Sequence, residues 1–303
     1  MIKHVAIACT LAMILASCVA PSIEELNEKW GTIPETPTVA EFDPTLGADY
    51  LPFPVDFGLF LGTADGTMNI PVDDPNDWSG VAGIMNGLNT LDGMSTLIPM
   101  TANFNGTVDS TTVIAGDTVR VFEVSKSSPY LAINGITREL TTAEYSVHMT
   151  HRYVEIQDSE FNGTLKEDAD GNPLMIEVLR DGIEVIPTIP LAPDAAYMVV
   201  VGTGIIDTAG RNIEADLIYG ICKGASSLVD RHGRSVIPIA MSDADAALLD
   251  QLRALTNTYE ILLGLQAGIG SGGIALAWTF TTQSVSPVLK AVAETTTAGN
   301  VVA

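Results

Sequence analysis

Ile274-Ala-Leu276-Ala-Trp278-Thr-Phe280-Thr-Thr282 places a large apolar residue at every second position, with Ala and Thr between them. Successive side chains of a β-strand point to opposite faces, so this period of two predicts a half-buried strand with Leu276, Trp278 and Phe280 inward. The Gly-rich stretch 264–273 before it reads as a return loop. Before that, 242–263 changes period. Ser242 is placed to cap a helix, Asp243 and Asp245 fall in its first turn, and Leu248, Leu252, Leu255, Tyr259 and Leu262 form one stripe, widened by Leu249 and Leu263. A helix is therefore expected to interrupt a β domain just before its last strand.

Working outward, 112–114, 118–124, 152–157, 175–179, 183–186 and 197–201 are short and rich in β-branched residues. Asp181-Gly182 reads as a hairpin turn between two of them, and Asp207 to Asn212 as another turn. Strands at this spacing, without helices between most of them, predict a mainly β chain and a sandwich rather than βαβ units. Nearer the N-terminus, 51–60 and 67–71 read as a short hairpin about Asp65-Gly66. In 77–91, Trp78, Val81, Ile84, Met85, Leu88 and Leu91 recur at helical spacing, with Asp73, Asp74 and Asp77 where a helix dipole favours negative charge. The Pro-, Glu- and Thr-rich segment from 19 to about 46 has little apolar periodicity and reads as a tether.

The first eighteen residues bear on the compartment. A short basic start, Met1-Ile-Lys3-His4, precedes an apolar run too short to span a bilayer, which suits a signal-peptide core. That run ends in Leu15-Ala16-Ser17-Cys18, which looks like a lipoprotein lipobox with Cys18 as the lipid acceptor. An ordinary signal peptide cut near Ala16 or Ala20 is the alternative. Val19, rather than an acidic residue, follows the cysteine, which suggests sorting to the outer membrane. Cleavage would leave 286 residues (303 − 17) with a formal charge near −24, since Lys3 is lost from a chain of −23. Such a surface repels polyanions, so nucleic-acid binding is excluded as a reading. Of three cysteines, Cys9 leaves with the signal and Cys18 is acylated, so Cys222 lacks an internal disulfide partner and reads as a small buried hydrophobe.

Several phrases, taken in order, resemble the N-terminal region of the bacterial virulence-factor lipases, the Pla-1/cef type of extracellular lipase. They are Phe42-Asp-Pro, Leu51-Pro-Phe-Pro, Asp65-Gly-Thr-Met-Asn-Ile-Pro71, Leu88-Asn-Thr-Leu-Asp-Gly-Met-Ser-Thr96 and Trp278-Thr-Phe-Thr-Thr-Gln-Ser284. Within that span, residues 95–284 also resemble a bacterial Ig-like domain, through Leu191-Ala-Pro-Asp-Ala-Ala-Tyr197 and the turn Asp207 to Gly210. Together these readings divide the chain into a signal peptide at 1–17, a tether at 18–48, an N-terminal extension at 49–94 packing on the sandwich, a region at 95–289 that the resemblance makes an Ig-like β-sandwich, with a helical insertion at about 242–263, and a tail at 290–303. In the family this region precedes an α/β-hydrolase domain with a Gly-x-Ser-x-Gly elbow, and no such motif occurs here. Gly268-Ile-Gly-Ser-Gly-Gly273 has Ile269 where the elbow needs glycine.

The residues that carry chemistry elsewhere read blandly. Three histidines, His148, His151 and His232, follow the signal, and any Ser-His-Asp site must use one of them as base. His148 and His151 are three apart in a predicted strand and so point to opposite faces. Asp230-Arg-His-Gly233 reads as a polar turn. Asp168, Asp170 and Asn172 make a weak calcium candidate, because Gly171 falls too early for an EF-hand and no Glu closes the loop; a solvated turn is preferred. Asp73, Asp74 and Asp77 read as helix capping. The expectation is thus a surface-displayed, non-catalytic lipoprotein module that anchors, spaces or binds, without cofactor, held to the membrane by its lipid and with a hydrolase domain or protein as candidate partner. The alternative is part of a lipase or lysophospholipase, a carboxylic ester hydrolase, whose catalytic domain is encoded beyond Ala303.

Overall fold

In a computed structural model of the chain, the described residues are 37–60, 65–127, 132–158, 165–237, 239 and 241–284. Cys18, the signal and most of the expected tether lie outside them, as does the tail at 290–303. Nine strands occur among the described residues: β1 (Val39–Ala40), β2 (Met100–Asn103), β3 (Val119–Ser127), β4 (Ala132–Glu139), β5 (Tyr145–Gln157), β6 (Met175–Pro187), β7 (Ala196–Gly202), β8 (Glu214–Ala215) and β9 (Ile274–Thr281). The helices are α1 (Asp56–Phe60), α2 (Gly80–Leu88), α3 (Leu217–Cys222) and α4 (Asp243–Leu262). The chain is mainly β, with several sheets.

One antiparallel sheet has the order β4-β3-β7-β9 and a second the order β2-β6-β5, while β1 and β8 pair in parallel. Residues of both antiparallel sheets, among them Val121, Val199 and Trp278 from one and Met100, Ile183 and Val185 from the other, belong to one hydrophobic core. The Tyr145 hydroxyl at the start of β5 joins them. It donates to Val119 O at 2.9 Å and accepts from Gly116 N at 2.9 Å.

Strand β9 forms where its alternation predicts, but every residue in it is buried, not one face. The small residues mark close approach instead of solvent. On their face Thr279 Oγ1 lies 3.1 Å from the Tyr259 hydroxyl of α4. On the other face Phe280 stacks on Tyr197, with ring centroids 5.5 Å apart. Along the strand, Ala277 N donates to the Tyr219 hydroxyl of α3 at 3.0 Å, satisfying a group that an edge strand leaves open. Helix α4 starts as its sequence requires: Ser242 Oγ accepts from Asp245 N at 3.1 Å. Its buried line runs through Leu249, Leu252, Thr256, Tyr259 and Leu263, slightly rotated from the expected stripe.

Other expectations are corrected. Asp181-Gly182 is not a turn, because β6 runs unbroken from Met175 to Pro187 and pairs with β5 along its whole length. Gly182 is there because a Cβ would lie 2.7 Å from Thr150 Oγ1 and 3.0 Å from Ala102 O. The segment 112–114 is no strand; a 3-10 turn, Ser110–Thr112, capped by Asp109, occupies its start. The hairpin about Asp65-Gly66 is absent too, since α1 takes part of 51–60, although Asp65 Oδ1 accepts from Thr67 N as a turn residue would. The expected tether ends earlier than 48. Ala40 and Phe42 are buried, and Phe42 packs on Phe57 and Tyr219.

Helix α2 is shorter than 77–91, and its expected stripe is split, with Met85, Leu88 and Leu91 half-buried. Trp78, Val81 and Ile84 are 64–69% exposed, while Asn86 is buried and its amide donates to Asp77 O at 2.8 Å. Asp74 and Asp77 do not cap it; their Oδ1 atoms accept from Asn76 N and Ser79 N in local turns. The turn at Asp207 is present, with Oδ1 accepting from Ala209 N and Arg211 N and with Gly210 at φ +80°. The Tyr197 hydroxyl accepts from Ala192 N at 2.9 Å, so the tyrosine of the Leu191-to-Tyr197 phrase closes its own loop.

Candidate functional site

The long β5–β6 pair gathers most of the polar chemistry. On its core side Tyr145, Ile183 and Val185 are buried, and on the other Ser146, His148, Thr150 and Arg152 stand beside Glu184 and Arg180. Arg152 and Arg180 are direct cross-strand partners, an arrangement in which like charges repel. Glu41 resolves it. Its carboxylate, 4% exposed, accepts from Arg180 Nη1 at 2.7 Å and from Arg152 Nη2. Burial pushes the Glu41 carboxyl above its ordinary value, a shift that the two guanidiniums oppose.

His151 and Asp181 face each other across the same pair. Asp181 is buried, with Oδ2 accepting from Val108 N at 2.8 Å and Oδ1 2.7 Å from His151 Nδ1. A carboxylate oxygen accepts, so Nδ1 of the exposed ring donates in this contact. His148 lies on the opposite face, its Nε2 2.9 Å from Ser146 Oγ.

The Ser146–His148 distance suits a nucleophile and its base, but its setting does not suit acyl transfer. Ser146 is inside a strand, where backbone N–H groups lie in the sheet plane, while its side chain stands perpendicular to that plane. Donors so placed cannot converge on an oxyanion above the face, as a strand-to-helix elbow allows. Ser271 is also committed: its hydroxyl donates to Glu260 Oε2, and its carbonyl accepts from Lys223 Nζ at 2.7 Å. His232 Nε2 accepts from Arg231 Nε at 3.0 Å in an exposed turn held by Asp230.

Asp168, Asp170 and Asn172 form a turn. Asp168 Oδ1 accepts from Asp170 N and Asn172 N, each at 2.9 Å, and Oδ2 from Asn172 Nδ2 at 3.1 Å, which holds its carboxyl below the ordinary range. Those lone pairs serve the turn itself. Among the described residues no group of three or more His, Cys, Asp or Glu is placed to hold a metal ion. Cys222 is buried, and burial pushes its thiol up to about 12, which suits packing and not nucleophilic work.

Sequence reading missed Glu41 and Asp181. Glu41 sits in a segment that reads as tether, and Asp181-Gly182 is a common turn dipeptide. Neither carries a local signal, because the partners of each lie far along the chain. No family model matches the chain, and neither a curated protein nor a solved structure matches it.

Proposed function

We propose that the chain is a lipid-anchored, extracytoplasmic β module without catalytic activity of its own, an Ig-like sandwich with α4 as an insertion before its last strand. The observation that carries the anchor is the order of basic start, short apolar run and Leu15-Ala16-Ser17-Cys18. The sandwich reading draws on two antiparallel sheets sharing one core. No helix among the described residues is long and apolar enough to cross a membrane. The body would be held near an outer membrane and displayed from it, with anchoring, spacing or binding as its work.

Metabolic labelling with a fatty-acid analogue is expected to mark the protein. Cys18→Ser should abolish the label and release the body from membranes, and label persisting in that variant would overturn the anchor.

Ester hydrolysis is expected to be absent. p-Nitrophenyl esters of several chain lengths and lysophospholipids should turn over no faster with the mature chain than without it. Turnover that His148→Ala, His151→Ala or His232→Ala removed without loss of folding would identify a base and reverse the reading. The resemblance to lipase N-terminal regions favours, as a second reading, a hydrolase domain encoded downstream of codon 303. The DNA beyond that codon decides it.

A further inference from the structure

Away from the polar face of β5–β6 lies a buried ionisable group. Asp56, at the start of α1, is 1% exposed and faces β9. Its Oδ2 accepts from Thr281 Oγ1 at 3.0 Å, while its Oδ1 is buried with no hydrogen-bond partner. The groups around it are neutral. Strand β9 presents Thr279 and Thr281, and α4 presents Tyr259, whose hydroxyl shares Thr279 Oγ1. The cation that acts on Asp56 is Lys126 of β3, and it does so through space, with its ammonium 3.2 Å from Asp194 Oδ1. Beside this chain of groups runs a narrow apolar crevice between α1, α4 and β9, lined by Phe42, Val55, Phe57, Leu255 and Trp278 together with Tyr259 and Thr279.

An anion in such a place loses its hydration and is compensated only by neutral donors of Thr279 and Thr281, whereas a neutral carboxyl costs far less to bury. Protonation also keeps the Thr281 contact, because a hydroxyl can accept as well as donate. We propose that Asp56 is a proton-operated latch: neutral, it lets α1 seat on β9 beneath α4, and ionised, it drives α1 off that face and opens the crevice beside Trp278. Desolvation pushes the Asp56 carboxyl up to about 7, against opposing pulls from Thr281, Thr279 and Lys126.

The sign follows from linkage. A carboxyl raised in the folded chain contributes stability that is fully present below the unfolded value near 3.8 and is lost as pH rises towards 7. The mature chain should show this in hydrogen–deuterium exchange. After correction for intrinsic rates, protection of 53–60 should fall roughly tenfold between about pH 5.5 and about pH 8.5, with β7 unchanged. Asp56→Asn should remove the pH dependence. An unchanged profile in Asp56→Asn, or flat protection in the wild type, would overturn the latch. A second readout needs no variant: in the aspartate-carboxyl carbon-13 spectrum of the wild type, one carboxyl should titrate near neutrality in step with the exchange. A spectrum in which every aspartate titrates in the ordinary acidic range refutes the proposal even if the variant fails to fold.

Discussion

A chain ending before Gly273 is expected to remain unfolded. Such a truncation removes β9, whose eight residues are all buried, and with it Trp278 and Phe280 at 1% and 0% exposure. Fully burying one large apolar side chain is worth about 1.5–3 kcal/mol, and deleting a buried aromatic costs about 3–5 kcal/mol once the cavity is counted. Two aromatics, Leu276 and the hydrogen bonds of the β7–β9 ladder thus match the ~5–15 kcal/mol that holds a typical domain folded. The loss also reaches other elements. Tyr219 of α3 and Tyr259 of α4 would each lose a buried partner. Trp278→Ala alone should lower stability by about 3–5 kcal/mol in a denaturant melt followed by near-ultraviolet circular dichroism. If the truncated chain melted cooperatively at the wild-type temperature, β9 would not belong to the core.

Glu41→Ala should cost about 3–5 kcal/mol, the usual consequence of removing one member of a buried ion pair. The mechanism differs from a cavity. Arg152 and Arg180 would face each other across β5–β6 with nothing between them, at 31% and 15% side-chain exposure, so water could screen them only in part. The same substitution loosens the segment around β1, which ends at Ala40 just before Glu41, whose N donates to Asn103 O at 2.8 Å. Glu41→Gln retains an acceptor and the packing and should cost less than Glu41→Ala. A double variant with Arg152→Met should recover part of the loss by removing one of the two opposed charges. Equal stability of wild type and Glu41→Ala in urea would show that the triad is a surface feature without structural weight.

Local pattern was enough for some elements and not for others, and the division follows the range of the forces. Ser242 with its first-turn aspartates and its apolar stripe determined α4, and the turn at Asp207 to Asn212 was legible for the same reason: each is made by residues within a few positions of one another. The alternation at 274–282 determined that a strand forms there. It could not determine that both faces would be covered, because an Ala or Thr facing water and one beneath a helix read alike. Asp181-Gly182 has the composition of a turn, yet the chain runs straight through it. What overrides the local preference is the packing of Gly182 against Thr150 and Ala102 and the bonds of Asp181 to Val108 and His151, all with residues distant in sequence. The stripe of α2 had the right spacing, yet Met85, Leu88 and Leu91 are half-buried while Trp78, Val81 and Ile84 face out, since periodicity defines a face but not which neighbour it meets. Glu41, Asp56 and the two arginines had no local reading at all. The ionisation of the two carboxyls depends on desolvation, and the pairing of Glu41 on arginines supplied by other strands, quantities that exist only once the chain has folded.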